Sequence, residues 1–186
     1  MSSPITPEQA LIVLREAELL CSPEQVQSAM DRLADAVTAR LKHCDPLVLI
    51  VMNGAFIPGA QLLSRLQFPL QVGYLHATRY RSGTRGGEID WIAPLRPAVT
   101  DRVVLVVDDI FDEGDTLKAI IDEVRRQGAT EAYSAVLVNK QHNRKAAGLT
   151  VDFIGLEVPD YYVFGCGMDY KEYWRQLPAI YAARLD

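Results

Sequence analysis

Five carboxylate side chains within eight residues make segment 108–115 the chemically most distinctive part of the chain; they belong to Asp108, Asp109, Asp112, Glu113 and Asp115. Gly114 permits a tight backbone in this segment, and Thr116 adds a hydroxyl group next to it. Carboxylates repel a bare phosphate, whereas a ligand that also carries ribose hydroxyls and a divalent cation would satisfy both kinds of group. The segment therefore indicates a sugar-phosphate site with a bound cation.

The elements on either side of this segment would place it at the edge of a sheet. Residues 103–107 form an apolar, mostly β-branched run, which is typical of a strand buried on both faces. A helix is predicted to follow the loop at once, because apolar residues recur at three- and four-residue spacing, namely Leu117, Ile120, Ile121 and Val124. Open α/β sheets bind ligands at such strand ends, and the N-terminus of a helix offers free N–H groups to a phosphate.

Other acidic-loop chemistries fit this segment less well. A solvated acidic turn that caps a helix is the plain alternative, but two adjacent aspartates that close an apolar strand weigh against it. A calcium loop that begins at Asp109 would place Phe111 and Ile120 at its third and twelfth positions, where oxygen ligands are needed. The chain has no Gly followed five residues later by Gly-Lys, and its Gly165-Cys-Gly167 lacks the third glycine of a dinucleotide fingerprint.

Two helices are predicted over residues 6–42, ahead of another buried strand. Thr6 and Ser22 each stand before a proline and three residues ahead of a glutamine, which is the capping-box pattern of a helix N-terminus. The apolar run Leu47–Met52 predicts the strand that follows them. This part of the chain is expected to have a structural role.

Four further segments each admit a plain interpretation and a functional one. Asn53-Gly54 is an ordinary strand-end turn when taken alone. Residues 78–88 contain three arginines and three glycines, which suits a flexible hairpin tip or a mobile lid over a polyphosphate. Lys140 follows a short apolar strand, where a lone lysine is usually a surface charge. The aromatic residues of segment 151–175 are, on composition alone, core packing.

The central segment resembles the ribose-phosphate loop of type I phosphoribosyltransferases. The shared order is an apolar strand, two acids, two apolar residues, then Asp, a variable residue, Gly, a variable residue and Thr. The resemblance covers about residues 48–175 and is closest to the 6-oxopurine enzymes of the purine branch. It implies an α/β fold with a central, mostly parallel sheet flanked by helices, and with a small base-binding hood formed mainly by residues 151–175.

The resemblance also implies an activity: purine salvage by transfer of the phosphoribosyl group of 5-phosphoribosyl 1-pyrophosphate to N9 of hypoxanthine or guanine. The products would be IMP or GMP and pyrophosphate. Asp112 would lie near N7 of the base as a catalytic acid or base. Asp108 and Asp109 would face the ribose and, with Asp169, hold Mg²⁺. The 5′-phosphate would be bound by Glu113, Gly114, Asp115 and Thr116, with Glu113 standing where many members have Thr.

Two further sets of residues take roles from the same resemblance. Pyrophosphate would be bound by Asn53, Gly54, Arg79, Tyr80 and Arg175. Members of the family often have Lys at the position of Asn53 and Ser at that of Arg79, and the loop after the strand can hold a non-proline cis peptide. The purine would be bound by Lys140, Tyr162, Val163 and Asp169. Lys140 would donate to the 6-oxygen, which adenine lacks, and Tyr162 would stack on the base.

Composition excludes several classes of protein. With 186 residues and 49% hydrophobic content, a single domain (1–186) with a core over about residues 47–140 is expected. The net charge of −5 argues against a nucleic-acid partner, and neither a membrane span nor a signal peptide is predicted. The odd number and wide spacing of the cysteines favour reduced thiols in the cytoplasm; they are Cys21, Cys44 and Cys166. The histidines are too scattered to predict a metal centre; they are His43, His76 and His142.

Two other functions remain open from the sequence. The first is a regulatory protein that keeps the phosphoribosyltransferase fold and binds nucleotide or RNA without turnover, since a fold alone does not decide function. The second is a receiver-type phosphorylation domain, suggested only by paired acids at a strand end. The enzyme hypothesis is preferred because Asp112 and the purine-reading positions are filled. Family members usually associate, which implies a homodimer or homotetramer.

Overall fold

The computed structural model describes residues 5–79, 89–93, 95 and 98–184; of residues 78, 79, 89 and 90 it describes the backbone alone. The lid expected over residues 78–88 therefore lies mostly outside the described residues. The helices of the described part are α1 (Pro7–Glu16), α2 (Pro23–Leu41), α3 (Phe56–Leu63) and α4 (Asp115–Arg126). Its strands are β1 (Glu18–Cys21), β2 (Leu47–Met52), β3 (Gln71–Arg79), β4 (Ile89–Ala93), β5 (Val103–Phe111), β6 (Glu131–Gln141), β7 (Phe153–Pro159), β8 (Val163–Phe164) and β9 (Ile180–Ala182).

The large sheet has six strands in the order β4-β3-β2-β5-β6-β7. Every neighbouring pair is parallel except β3 and β4, which form an antiparallel pair at one edge. Helix α2 packs on β6 and β7, α3 on β2 and β5, and α4 on β3, β5 and β6. The predicted mostly parallel sheet flanked by helices is therefore confirmed.

A second, smaller sheet joins the two ends of the described chain. It has the antiparallel order β1-β9-β8. Segment 151–175, which is expected to form most of the hood, also contributes β7 to the large sheet, where it pairs with β6; the hood stays a prediction. Of the strands of the small sheet, only β8 comes from that segment, while β1 and β9 come from either side of it in sequence. Strand β1 is too short to leave a periodic signal between two helices.

The two N-terminal helices begin where the sequence predicts them. Thr6 and Ser22 each accept a hydrogen bond from the backbone N–H of a glutamine, and each glutamine side chain accepts one from the backbone of its cap. These reciprocal bonds satisfy N–H groups that a helix N-terminus leaves without intrahelical partners. Among the described residues, no helix is both long and apolar enough to cross a membrane.

The strand register sets the place of the functional residues. In the core of the sheet β2 and β5 are aligned from Leu47 and Val104 onward, so their carboxyl ends meet at the same edge. Strand β5 continues to Phe111, opposite Asn139 of β6. Asp108 and Asp109 therefore lie inside the strand, whereas the sequence analysis ended the strand before them. The buried apolar residues of β5 fix this strand and hence both acids.

One side chain extends the pairing of β6 and β7 beyond the last backbone rung. Ser134 is 1% exposed, and its partner strand begins only opposite Ala135. Asp152, just before β7, replaces the missing rung: its carboxylate accepts from the Ser134 N–H at 2.8 Å and from the Ser134 hydroxyl at 3.0 Å. The Asp152 N–H donates in return to the Ser134 hydroxyl oxygen. The carboxylate thus satisfies a buried backbone donor.

The Asp152→Ala variant should lower the free energy of unfolding by about 1–3 kcal/mol, the usual cost of leaving a buried donor unpaired. Urea unfolding of the purified variant would measure it. Asp122→Ala is the matched control, because Asp122 is exposed and pairs with Lys118 on the surface of α4; its effect should stay within about 0.5 kcal/mol. Equal effects of the two substitutions would contradict the assigned role of Asp152.

Candidate active site

An open cavity of about 510 Å³ lies at the carboxyl ends of the central strands. Parallel α/β sheets bind ligands at this edge. The cavity is lined by Val51, Met52, Asn53, Gly54, His76, Ala77, Asp108, Asp109, Ile110, Asp112, Glu113, Gly114, Asp115, Thr116, Leu117, Glu172 and Arg175. The structure therefore brings together most of the residues predicted to bind ribose, phosphate and pyrophosphate, although they come from three distant parts of the sequence.

Asp108 and Asp109 form an acidic pair in the wall of this cavity. Burial raises the pKa of both carboxyl groups, and the negative charge of Asp109 raises the pKa of Asp108 further, well above its ordinary value. The Asp108 carboxylate accepts from the Asp109 N–H at 2.9 Å, and the Asp109 carboxylate accepts from the Ile110 N–H at the same distance. The pair is therefore held in place while its negative charge is poorly compensated.

The loop after β2 passes close to the acidic pair. A Cβ atom at Gly54 would lie 2.1 Å from Asp109 Oδ2, so only glycine fits there. The peptide bond between Met52 and Asn53 is cis, as the resemblance allows for the loop after this strand. The backbone oxygen of Gly54 in turn lies 2.1 Å from where a Cβ of Gly167 would be. These two glycines let the loop fit between β5 and the segment that follows β8.

The N-terminus of α4 forms the opposite wall. Its N-cap, Gly114, has a left-handed backbone with φ 88°, and a Cβ there would meet the Phe111 ring at 2.1 Å. The glycine at the N-cap has no side chain with which to cap the helix, and the N–H groups of the first turn, which includes Thr116, have no partner within the helix. A helix N-terminus of this kind suits a phosphate group. Lys145 supports the loop, since its ammonium group donates to the Phe111 carbonyl oxygen at 2.6 Å.

Asp112 is held by two side chains that approach from β6 and the residues after it. Lys140 Nζ donates to Asp112 Oδ2 at 2.7 Å, and His142 Nε2 lies 2.7 Å from Asp112 Oδ1. Burial by itself raises the pKa of Asp112, but the hydrogen bonds from Lys140 and His142 outweigh burial, and the pKa lies below its ordinary value. Asp112 is therefore a carboxylate at neutral pH, whereas the raised pKa values of Asp108 and Asp109 mean that their charged forms are disfavoured.

Arg175 enters the cavity from the segment after β8. One of its nitrogens donates to the Gly167 carbonyl oxygen at 2.9 Å, and the other lies 2.6 Å from Asp169 Oδ1. The second Asp169 oxygen accepts from the Glu172 N–H at 2.8 Å. Among the described residues, Asp169 is outside the set that lines the cavity, so its visible contact with the site is through Arg175.

The residues predicted to bind the purine lie beside the cavity and not within its lining. Lys140 reaches it through Asp112. Val163 lies in β8, paired with Ala182, and Tyr162 immediately precedes that strand. The Tyr162 ring is 41% exposed and meets Tyr170 edge-on, with ring centroids 5.2 Å apart.

Two of the predicted pyrophosphate residues cannot be placed in the site. Arg79 is the last residue of β3, where only its backbone is described, and Tyr80 lies outside the described residues. Backbone pairing joins Arg79 to Ile89 across β3 and β4. Their assignment to pyrophosphate therefore stays a prediction.

Three residues of the site were missed by the sequence analysis: His76, His142 and Glu172. His142 follows Lys140 at a spacing of two, and alternate residues of an extended chain share one face; this signal could have identified it. His76 of β3 pairs with Met52, the last residue of β2. Only the pairing of the two strands shows that His76 lies at the site. Glu172 has an exposed side chain and a positive φ of 73°, and no spacing in the sequence points to it.

Two groups of side chains offer possible metal ligands. Asp112, His142 and Asp160 have ligand atoms within 4.8 Å of one another, but Lys140 neutralises Asp112 and Arg144 binds Asp160 through two hydrogen bonds. Asp108 and Asp109 fit a cation better, because their oxygens are hard donors. Burial raises both pKa values, and a nearby cation would stabilise the charged forms that burial disfavours.

Comparison with known proteins identifies the fold and the family. The family described as phosphoribosyl transferase domain matches residues 22–172. The hypoxanthine-guanine phosphoribosyltransferase of Bacillus subtilis is 32% identical over 88% of this chain and 91% of that protein. The enzyme of the same name from Staphylococcus epidermidis is 29% identical over 87% of this chain and 90% of that protein.

A solved structure gives the same result in three dimensions. The crystal structure of a hypoxanthine phosphoribosyltransferase from Staphylococcus aureus superimposes with a TM-score of 0.87 at 25% identity, covering 93% of this chain and 95% of that one. The matched region includes both the acidic strand β5 and the residues that hold Asp112. The chain therefore belongs to the phosphoribosyl transferase domain family and has the type I phosphoribosyltransferase fold.

Proposed function

We propose that the protein is a purine salvage enzyme that transfers the phosphoribosyl group of 5-phosphoribosyl 1-pyrophosphate to N9 of hypoxanthine or guanine, giving IMP or GMP and pyrophosphate. The observation that carries the proposal is one cavity in which an acidic pair, a helix N-terminus with glycine as its N-cap and an arginine meet beside Asp112. The names of the relatives from Bacillus subtilis and Staphylococcus epidermidis support the same substrates.

The sugar phosphate would bind across the acidic pair and the start of α4. Asp108 and Asp109 would accept hydrogen bonds from the ribose hydroxyls. The 5′-phosphate would bind to the backbone N–H groups of residues 113–116 and to the Thr116 hydroxyl. The side chains of Glu113 and Asp115 would stay directed away from the phosphate, because two like charges in one small site repel each other.

Pyrophosphate would lie between the loop after β2 and the arginines. Asn53 and Gly54 would supply backbone N–H groups, and Arg175 would supply a guanidinium that Asp169 already orients. Arg79 and Tyr80 would close the site from the end of β3. The positive charge of Arg175 favours the departure of pyrophosphate, since charge develops on this group in the transition state.

The purine would lie between the Asp112 group and the small sheet. Tyr162 would stack on the base, and the backbone around Val163 and Asp169 would read its edge. An ammonium group carries three N–H donors, and Lys140 uses one of them on Asp112. Another is available for the 6-oxygen of hypoxanthine or guanine, whereas the 6-amino group of adenine would face a second donor.

Asp112 would act as the base of the reaction. N9 of the purine attacks C1′ while the bond from C1′ to the pyrophosphate oxygen breaks, and the electron pair leaves with pyrophosphate. As the new bond forms, the imidazole ring of the purine becomes acidic, and its N7 proton passes to the Asp112 carboxylate. A weak base suffices because the proton becomes acidic only in the transition state. The sugar passes through an oxocarbenium-like transition state, and no protein nucleophile is required.

Magnesium is the cofactor in this proposal. Asp108 and Asp109 would hold Mg²⁺, and the ion would supply positive charge to the ribose and pyrophosphate oxygens. Asp169 would also hold the ion in this proposal. In the structure one of its oxygens contacts the Arg175 guanidinium, and the other accepts a hydrogen bond from the Glu172 N–H.

We also propose a homodimer or homotetramer in the cytoplasm. Three large apolar side chains of the β3–β4 edge, Val72, Tyr74 and Ile92, are 56–58% exposed, and contact with a second copy would cover them. The three cysteines are unpaired, which suits a reducing compartment.

The function is tested by offering hypoxanthine, guanine, xanthine, adenine and uracil separately, with 5-phosphoribosyl 1-pyrophosphate and Mg²⁺, and following nucleotide formation by absorbance. Hypoxanthine and guanine should react, adenine and uracil should not, and chelation of the metal should stop the reaction until Mg²⁺ is restored. Binding of the sugar pyrophosphate without turnover of any base would instead favour the regulatory hypothesis.

The Asp112→Asn variant should lower kcat by about a hundredfold or more, because the amide cannot accept the N7 proton. The KM for 5-phosphoribosyl 1-pyrophosphate should change little, since the proposed sugar-phosphate contacts lie elsewhere. Steady-state kinetics with hypoxanthine would measure both constants. Asp122→Asn on the exposed face of α4 is the control, and an unchanged kcat in Asp112→Asn would remove Asp112 from the mechanism.

The Lys140→Ala variant should lower the ratio of kcat/KM for hypoxanthine to that for adenine by about tenfold or more, because the donor to the 6-oxygen is lost. Competition between the two bases would measure the ratio directly. Lys118→Ala is the matched control, since Lys118 forms a surface pair with Asp122. Full 6-oxopurine selectivity in Lys140→Ala would show that another group reads this position.

A further inference from the structure

His142 makes two hydrogen bonds that fix the position of its proton. Its side chain is 4% exposed, and its Nε2 lies 2.7 Å from Asp112 Oδ1. Its Nδ1 lies 3.0 Å from the backbone N of Arg144, which donates to it. Because Nδ1 accepts a hydrogen bond from the backbone N–H of Arg144, it cannot carry a proton of its own. The imidazole is therefore neutral, with its proton on Nε2, from which it donates a hydrogen bond to Asp112.

The neutral state of His142 matters for the charge at Asp112. Lys140 already balances the single negative charge of the carboxylate. A second cation would suppress the basicity of Asp112, whereas a neutral N–H donor orients the carboxylate without adding charge. The charged groups near Asp112 also include Glu113, Arg144, Lys145 and Asp160, and Asp160 is itself bound by Arg144.

Two donors on two different oxygens determine the plane of the carboxylate. Lys140 alone would not fix this plane, because its side chain is flexible and its ammonium group has three N–H donors. It could keep a hydrogen bond to either oxygen while the Asp112 carboxylate rotates. With His142 on Oδ1 and Lys140 on Oδ2, rotation about the Cβ–Cγ bond of Asp112 would break a hydrogen bond. Each carboxylate oxygen still has a lone pair for the N7 proton, so the donors fix the direction of the base without blocking it.

We propose that His142 is a positioning residue for Asp112, which holds the carboxylate in the orientation that receives the purine proton. This proposal rests on the function proposed above. The segment that carries His142 is itself anchored, because the Arg144 guanidinium makes two hydrogen bonds to Asp160, at 2.8 and 2.9 Å. Asp160 lies two residues before Tyr162, so the same anchor connects Asp112 with the proposed base-stacking ring.

The test uses two variants of nearly equal side-chain size. His142→Gln keeps an N–H donor at about the reach of Nε2, and His142→Met has none. His142→Met should lower kcat by about ten- to a hundredfold, the effect of misplacing a reacting group, with the KM for 5-phosphoribosyl 1-pyrophosphate unchanged. His142→Gln should recover most of the loss. Thermal unfolding of both variants would show that the difference between them does not come from stability.

The outcomes separate this proposal from the proposed function. An active wild-type protein whose His142→Met variant keeps full kcat, or whose His142→Gln variant loses as much as His142→Met, overturns the positioning role alone. A wild-type protein that turns over no base overturns the proposed function, and the positioning role with it.

A second measurement does not depend on turnover. Imidazole ¹⁵N NMR, with His142→Gln to assign the signal, should show a neutral ring with the proton on Nε2. In Asp112→Asn the Nε2–H signal should move, because its acceptor changes from a carboxylate to an amide. A proton on Nδ1, or a ring protonated at both nitrogens at neutral pH, would overturn the proposal.

Discussion

Two adjacent carboxyl groups at the end of β5 are the constraint on which the site depends. Asp108 and Asp109 are fixed side by side by a strand whose apolar residues 104–107 are buried in the core, while the two acids themselves are partly exposed to the cavity. Burial raises the pKa values of both groups, and the charge of Asp109 raises that of Asp108 further, which means that the folded chain holds these carboxylates at a cost in free energy. A ligand that brings positive charge or hydroxyl donors removes part of this cost, and the cavity beside them is open to such a ligand.

Asp112 lies only three residues further along and has the opposite environment. Lys140 and His142 give it two hydrogen bonds, and its pKa is lowered where those of the acidic pair are raised. One loop therefore contains carboxylates of two kinds, and environments that separate the pKa values of neighbouring acids separate their chemical roles. The acidic pair suits hydroxyls and a cation, while Asp112 stays ionised and can accept a proton. The difference arises because β6 and the residues just after it bring Lys140 and His142 to Asp112.

The sequence predicted the parts of the fold that depend on local patterns. The capping boxes of α1 and α2, the strand Leu47–Met52 and the helix after Thr116 all follow from short-range periodicity and N-cap chemistry. The family resemblance supplied the mostly parallel sheet flanked by helices, but not the order of its strands. Strand β1 and the composition of the small sheet were missed, because they depend on pairing between the two ends of the chain. His142 was missed for a related reason: a histidine gains a role only when another strand brings Asp112 to it, and composition alone showed three scattered histidines.

The contact between Gly54 and Gly167 explains how the two sheets build one site. The backbone oxygen of Gly54 occupies the space where a side chain at Gly167 would begin, so the loop after β2 and the segment after β8 approach each other with no side chain between them. The backbone N–H of Gly167 donates to the Arg175 carbonyl oxygen, and its own carbonyl oxygen accepts from the Arg175 guanidinium. Arg175 is thus fixed to the residue that touches the loop after β2. A larger residue at Gly167 would separate the two segments, and Arg175 would move away from Asp109, the carboxylate whose charge it partly balances. A larger residue at Gly54 would instead press on the Asp109 carboxylate itself.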